Sequence, residues 1–249
     1  MYLMQWFNNE YILALNTNLG AKTMKEYTIG LIRVLTIDDE RLLNLHGELI
    51  EKAFPELKVI SACIEDQPFG IYDEESERIA KPKILRLAKE FEKRGVDAII
   101  ISCAADPAVE EARREVSIPV VGAGSAVASL ALAQGRKVGV LNLTEKTPKV
   151  IKEVLGDHLI AEEHPEGVKN TLDLMEKKTE IVEAARRLKE RGVEVIVLGC
   201  TGMSTIKIAP ILEDAVKIPV IDPVLASGAV VLNILRGRDV WGEIDEDKS

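Results

Sequence analysis

The sequence predicts an α/β fold: two pseudo-symmetric three-layer domains with mostly parallel sheets and a site in the cleft between them. Three observations lead there. Short β-branched runs alternate with amphipathic stretches of helical length, the pattern of a parallel sheet covered by helices. Ile99-Ile100-Ile101 and Val195-Ile196-Val197 are continuous apolar runs, as strands buried on both faces require. The chain also repeats itself. Glu92-Lys93-Arg94-Gly95-Val96-Asp97-Ala98 and the run that ends at Cys103 return as Lys189-Glu190-Arg191-Gly192-Val193-Glu194-Val195 and the run that ends at Cys200. Gly95 to Gly192 and Cys103 to Cys200 are both 97 positions.

Taken in order, Thr28 to Val34 reads as a strand, Asp38 to Phe54 as a helix closed by Pro55, and Leu57 to Ser61 as a second strand. The segment Asp66-Gln67-Pro68-Phe69-Gly70 reads as a loop, either a surface connection or a lid over the cleft. Ile84, Leu87, Ala88 and Phe91 form an i, i+3, i+4, i+7 face, and Ile181, Ala184, Ala185 and Leu188 form the same face one repeat later. Strand signals follow each cysteine at Ser117–Val121 and Lys217–Ile221. Ile29–Val34 is paralleled by Val138–Leu143.

Composition narrows the function. Of 249 residues, 47% are hydrophobic and 29% charged, and 32 Lys+Arg against 41 Asp+Glu leave a net charge of −9. That balance argues against nucleic acid or an anionic membrane as the main partner. No apolar run approaches the roughly 20 residues that span a bilayer. Three widely spaced cysteines make no disulfide framework, so a reducing cytoplasm is the expected location. No CxxC or HExxH pattern supplies metal ligands, so no metal is expected. Residues 1–26 show no periodicity and no signal-peptide pattern; they read as a peripheral or disordered extension, with Met24 as an alternative start.

Cys103 and Cys200 carry the chemistry. Ligands bind beyond the carboxyl ends of strands in open α/β sheets, and both cysteines stand just past such ends. Two units facing each other across a pseudo-twofold axis would set the sulfurs on opposite sides of one cleft. Racemisation at an acidic carbon needs that arrangement, a base on one face and an acid on the other. A thiol, with an ordinary pKa near 8.5, serves in either role. Cys63 has no counterpart in the repeat and is assigned to the core. Asp106-Pro107 reads as a helix start, and Thr201-Gly202-Met203 offers backbone N–H groups that could hold an enolate oxygen. Gly122-Ala123-Gly124-Ser125 lacks a complete dinucleotide fingerprint and reads as close packing, with Ser125 as an N-cap. Thr144 and Thr147 follow the Val138–Leu143 strand, where a helix N-terminus could bind an anion or amide; capping is the alternative. His46, His158 and His164 sit among polar residues and read as solvated.

At the two cysteines the chain resembles the Asp/Glu/hydantoin racemase superfamily. Ser102-Cys103-Ala104-Ala105-Asp106-Pro107 is similar to the first cysteine segment of hydantoin and allantoin racemases, and Gly199-Cys200-Thr201-Gly202-Met203 to their second. Ile221-Asp222-Pro223-Val224 is similar to the stretch after it, and the likeness runs from about Tyr27 to Leu235. The resemblance implies a cofactor-independent enzyme with two catalytic cysteines, a small-molecule substrate and a homo-oligomeric state. It also implies interleaved domains, residues 27–123 with 224–249 around Cys103 and residues 124–223 around Cys200, crossing near Gly124 and Pro223.

Two departures bear on substrate. Ala104-Ala105 and Gly202 replace the Asn-Thr and His of glutamate racemases. Arg33 stands where hydantoin racemases carry an Asn-Pro-Asn-like turn, and would offer a bidentate cation to a carboxylate or ring carbonyl unless it serves an outward salt bridge. The substrate-binding set expected is therefore Arg33, Asp106, Ser125, Thr144, Thr201 and Gly202, most readily around a 5-substituted hydantoin. The alternatives are aspartate or glutamate racemisation, a maleate-isomerase-like addition, and a non-catalytic binding protein on the same scaffold.

Overall fold

A computed structural model describes residues 25–168 and 173–246, so the reading of residues 1–24 as an extension falls outside it. Strands β1 (Tyr27–Arg33), β2 (Leu57–Cys63), β3 (Ala98–Ser102) and β4 (Val120–Gly122) form one parallel sheet in the order β2-β1-β3-β4. Strands β5 (Val138–Leu141), β6 (Leu159–Glu163), β7 (Val195–Leu198) and β8 (Val220–Ile221) form a second in the matching order β6-β5-β7-β8. The repeat is therefore a repeat of topology. The helices are α1 (Glu40–Ala53), α2 (Glu74–Lys93), α3 (Val109–Glu115), α4 (Ala123–Leu132), α5 (Lys149–Leu155), α6 (Lys178–Glu190), α7 (Gly202–Thr205), α8 (Ala209–Val216) and α9 (Pro223–Glu246).

Alternation along each strand sorts the side chains into three cores. Ile32, Ile99 and Ile101 pack outward on the apolar face of α2, through Ile84, Ala88 and Phe91. Leu141, Ile196 and Leu198 pack outward on Ile181, Ala184, Ala185 and Leu188 of α6. The inner faces share one core: Ile29, Leu31 and Ile100 from the first sheet meet Val138, Val140, Val195 and Val197 from the second, through α1, α4, α5 and α9.

Gly95 and Gly192 close α2 and α6 in the left-handed region, at φ +76° and +81°, where a side chain would be strained. Gly30 and Gly139 are equivalent too. A Cβ on the first would lie 2.5 Å from Phe91 Cγ in α2, and on the second 2.8 Å from Val193 Cγ2, just past α6, and 3.1 Å from Leu188 Cδ2 within it, so each strand lies tightly under its helix and the turn that follows.

Several local expectations need correction. β2 runs on to Cys63, and Cys63 is only half-buried, with its sulfur accepting from the Ile37 N–H at 3.4 Å. The strands after the cysteines are shorter than expected, because Pro119 and Pro219 lack the N–H a ladder needs. Asp106 does not start the next helix. It sits at φ +52°, α3 begins after Ala108 without a side-chain cap, and the Asp106 carboxylate instead caps α4. Ser125 is consequently inside α4, its hydroxyl donating to the Gly122 carbonyl at 3.3 Å. α5 begins only at Lys149, so Thr144 is exposed on a loop and Thr147 is buried as an acceptor for Asn142, neither at a helix N-terminus.

Candidate active site

In a sheet ordered β2-β1-β3-β4, successive connections leave β1 in opposite directions, which opens a crevice beyond the carboxyl ends of β1 and β3. Arg33 ends β1 and pairs in register with Ser102, the last residue of β3, so Cys103 follows at the crevice. The second sheet places Asn142, just past β5, beside Gly199 and Cys200, just past β7. The two crevices meet. Thr201, next to Cys200, donates its hydroxyl to the carbonyl of Ser102, next to Cys103, at 3.3 Å.

Both cysteine residues are half-buried, and burial is the largest influence on each thiol. It pushes Cys103 up to about 12; the Ala105 N–H opposes the shift, while the neighbouring Cys200, Asp106 and Glu77 reinforce it. Cys200 is raised as well, against the N–H groups of Gly202 and Met203 and the Arg33 cation, all of which favour the thiolate. The Gly202 N–H lies 3.3 Å from the Cys200 sulfur and donates to it.

Arg33 is no outward salt-bridge residue. It is 6% exposed and donates from Nη1 to the Leu42 and Leu43 carbonyls at 2.8 and 3.4 Å. Among the described residues no carboxylate pairs with it, and its Nε has no partner. Burial lowers it to about 10, with Cys63 and Cys200 opposing, so it remains a cation at neutral pH.

Asp106 and Asp222 support the two cysteine loops. Asp106 accepts from the Gly124 and Ser125 N–H groups at 2.6 and 2.8 Å. Asp222 accepts from the Val224 and Leu225 N–H groups at 2.9 and 3.1 Å, and from the Ser204 hydroxyl at 2.9 Å. Burial raises both carboxyls, and the hydrogen bonds work against it.

Residues 45–229 match the family model for Asp/Glu/hydantoin racemases. The chain belongs to that family. It is 30% identical over 178 residues to a hydantoin racemase of Rhizobium meliloti, covering 65% of this chain and 70% of the relative. The allantoin racemase of Klebsiella pneumoniae superposes with a TM-score of 0.74 at 24% identity, over 85% of this chain and 88% of that one. A glutamate racemase of Bacillus anthracis gives 0.63 at 15% identity, over 86% and 83%. At those identities the two solved structures speak for a shared racemase fold.

Within this racemase fold the structure gathers Arg33, Cys103, Cys200, Thr201 and Gly202 at the joined crevices, with Asp106 and Ser125 behind Cys103 and Thr144 exposed past β5. Two residues escaped the sequence reading. Asn142 is 1% exposed, gives Nδ2 to Thr147 Oγ1 at 2.5 Å, and leaves Oδ1 without a partner. Aligning Ile29–Val34 with Val138–Leu143 places Asn142 opposite Arg33, a signal the repeat already held. The other is His46. It is not solvated but fully buried, because α1 turns it inward beside Gly47 and Ile50.

Proposed function

We propose that the protein racemises 5-substituted hydantoins without a cofactor, with Cys103 and Cys200 as the paired acid and base. The observation that carries this reading is the hydrogen bond joining Thr201 to Ser102, which ties the two cysteine loops together at the crevices of two equivalent sheets. One sulfur, as thiolate, takes the proton from the acidic ring carbon. The electron pair moves onto the adjacent carbonyl oxygen, and the opposite thiol delivers its proton to the other face. The mirror-image substrate exchanges the roles, so atoms and charge balance in both directions.

A hydantoin ring offers alternating carbonyl and N–H groups. The unpartnered Arg33 Nε–H suits a carbonyl that gains negative charge, where one well-placed donor contributes about 3 kcal/mol. The unpartnered Asn142 Oδ1 suits a ring N–H. Thr201 and Thr144 are further candidates for ring contact, and Gly202 acts through the Cys200 sulfur. The buried, unpaired Arg33 also favours a second reading, an acidic amino acid held by its carboxylate.

The test is incubation of each enantiomer in D₂O. The expected outcome is exchange of the α-hydrogen together with inversion, and loss of inversion by at least about 10²-fold in Cys103→Ser and in Cys200→Ser. Full inversion by either variant rejects the two-thiol mechanism. Free aspartate and glutamate assayed in parallel separate the two substrate readings.

A further inference from the structure

His46 takes no part in the chemistry proposed above, yet it is built into the joint between the two cysteine loops. Its Nδ1 lies 2.8 Å from the hydroxyl of Ser102, at the end of β3. Its Nε2 lies 2.9 Å from the hydroxyl of Thr205, in the short helix α7 that follows Cys200. The ring is fully buried, and α1 holds it rigidly: a Cβ on neighbouring Gly47 would come within 2.9 Å of Val59 Cγ1, so helix and sheet are already in close contact.

We propose that His46 is a positioning residue, a neutral crossbar whose two ring nitrogens hold the Cys103 loop and the Cys200 loop at a fixed separation. A neutral imidazole has one N–H donor and one acceptor nitrogen, and a hydroxyl can complement either. Ser102 and Thr205 therefore satisfy both edges of the ring at once. Burial and, after it, the Arg33 cation disfavour the charged ring and outweigh a hydrogen bond to the Thr201 backbone that favours it, so the neutral form persists. The Thr201 hydroxyl on the Ser102 carbonyl closes the circuit from the other side. Ser102 precedes Cys103 by one position and Thr205 follows Cys200 by five, so the crossbar acts on the span between the sulfurs without touching substrate. Two groups that must flank a single carbon tolerate little drift, since a displacement of about 1 Å can cost 10²-fold in rate.

The catalytic half of this proposal rests on the racemase reading; the geometric half does not, and the experiment separates them. In a Cys63→Ser background, dibromobimane becomes fluorescent only when both its arms are alkylated by neighbouring thiols, and so reports the Cys103–Cys200 span. Iodoacetamide reports each thiol singly. His46→Phe keeps a ring but removes both nitrogens. It should slow bimane bridging at least about tenfold while leaving single-thiol alkylation near wild type. With a hydantoin it should lower kcat for inversion about 10²-fold, with KM little changed and α-hydrogen exchange less affected than inversion. Ser102→Ala and Thr205→Val each cut one arm of the crossbar, and they serve if His46→Phe does not fold. Their double variant should be no worse than the poorer single, because one chain of bonds is broken either way.

Wild-type bridging in His46→Phe, or in Ser102→Ala and Thr205→Val, overturns the proposal. So does a strictly additive double variant whose losses follow melting temperature alone, the mark of a structural histidine. Slowed bridging in a protein that turns over neither a hydantoin nor free aspartate or glutamate would leave the crossbar standing and remove the proposed two-thiol racemisation.

Discussion

Arg33 gives the two thiols different surroundings. It adds a cation to the environment of Cys200, whereas the charged groups that act on Cys103 are Cys200, Asp106 and Glu77, all of which disfavour its thiolate. A buried, unpaired cation is costly to fold around, which argues for a functional reason to keep it. Arg33→Met removes a charge that favours the Cys200 thiolate. The Cys200 pKa must then rise, and its thiolate fraction at a fixed pH must fall. Iodoacetamide labelling followed by peptide mass spectrometry should show the Cys200 profile displaced to higher pH in the variant. Cys103, with a pKa of about 12, should gain reactivity about tenfold per pH unit through pH 10 without a plateau, in both proteins. Thermal stability should hold or rise in Arg33→Met while inversion falls at least about tenfold. An unchanged Cys200 profile would show that Arg33 does not govern this thiol. At this scale the sequence was uneven. Two equivalent cysteines are conspicuous, whereas a buried histidine amid polar neighbours on a helix carries no mark of which way it faces.

Among the elements, the repeat was the most legible feature, because equivalent apolar faces and left-handed glycines obey local rules that a sequence displays. Remote capping was not legible. Asp106 is 18 residues from Gly124, and only the returned sheet brings its carboxylate to the start of α4. The neighbouring proline made a local helix start the more obvious reading. Because Asp106 hydrogen-bonds two N–H groups of α4 from the Cys103 loop, Asp106→Ala should cost about 1–2 kcal/mol. That corresponds to roughly 2–4 °C in Tm per kcal/mol for a chain of this size, together with slower inversion as the loop loosens. Asp106→Ala with an unaltered melting curve would mean that the cap bears no load. The paired glycines make a second case. Gly139→Ala places a methyl against Val193 and Leu188, where overpacking costs about 1–3 kcal/mol, and Gly30→Ala meets the less yielding ring of Phe91. Calorimetry should therefore rank Gly30→Ala as the more damaging of the two; the reverse order would contradict the packing described.

For the molecule as a whole, the decisive feature is that the inner faces of the two sheets do not have separate cores. Ile29, Leu31 and Ile100 belong to the same buried cluster as Val138, Val140, Val195 and Val197, joined by α4 and α9. Two α/β units that each buried its own apolar surface could unfold one after the other, as chains of this length often do. Here the loss of either unit would expose the inner face of its neighbour, at about 25 cal/mol for each Å² of apolar surface uncovered. Opening of one sheet is thus penalised by the other, and the alignment of the two cysteine loops inherits that rigidity. Leu31 in β1 and Leu155 in α5 test the coupling from opposite sides, since both are almost fully buried in the shared cluster. Leu31→Ala and Leu155→Ala should each cost about 2–5 kcal/mol. Native-state hydrogen exchange should register each loss in the amides of β1 and β3 and equally in those of β5 and β7. Circular dichroism and exchange should report one transition with a common midpoint. A Leu31→Ala protein whose second sheet kept its full protection would mean that the halves unfold independently and that the cysteines are held together only by the bonds between their loops.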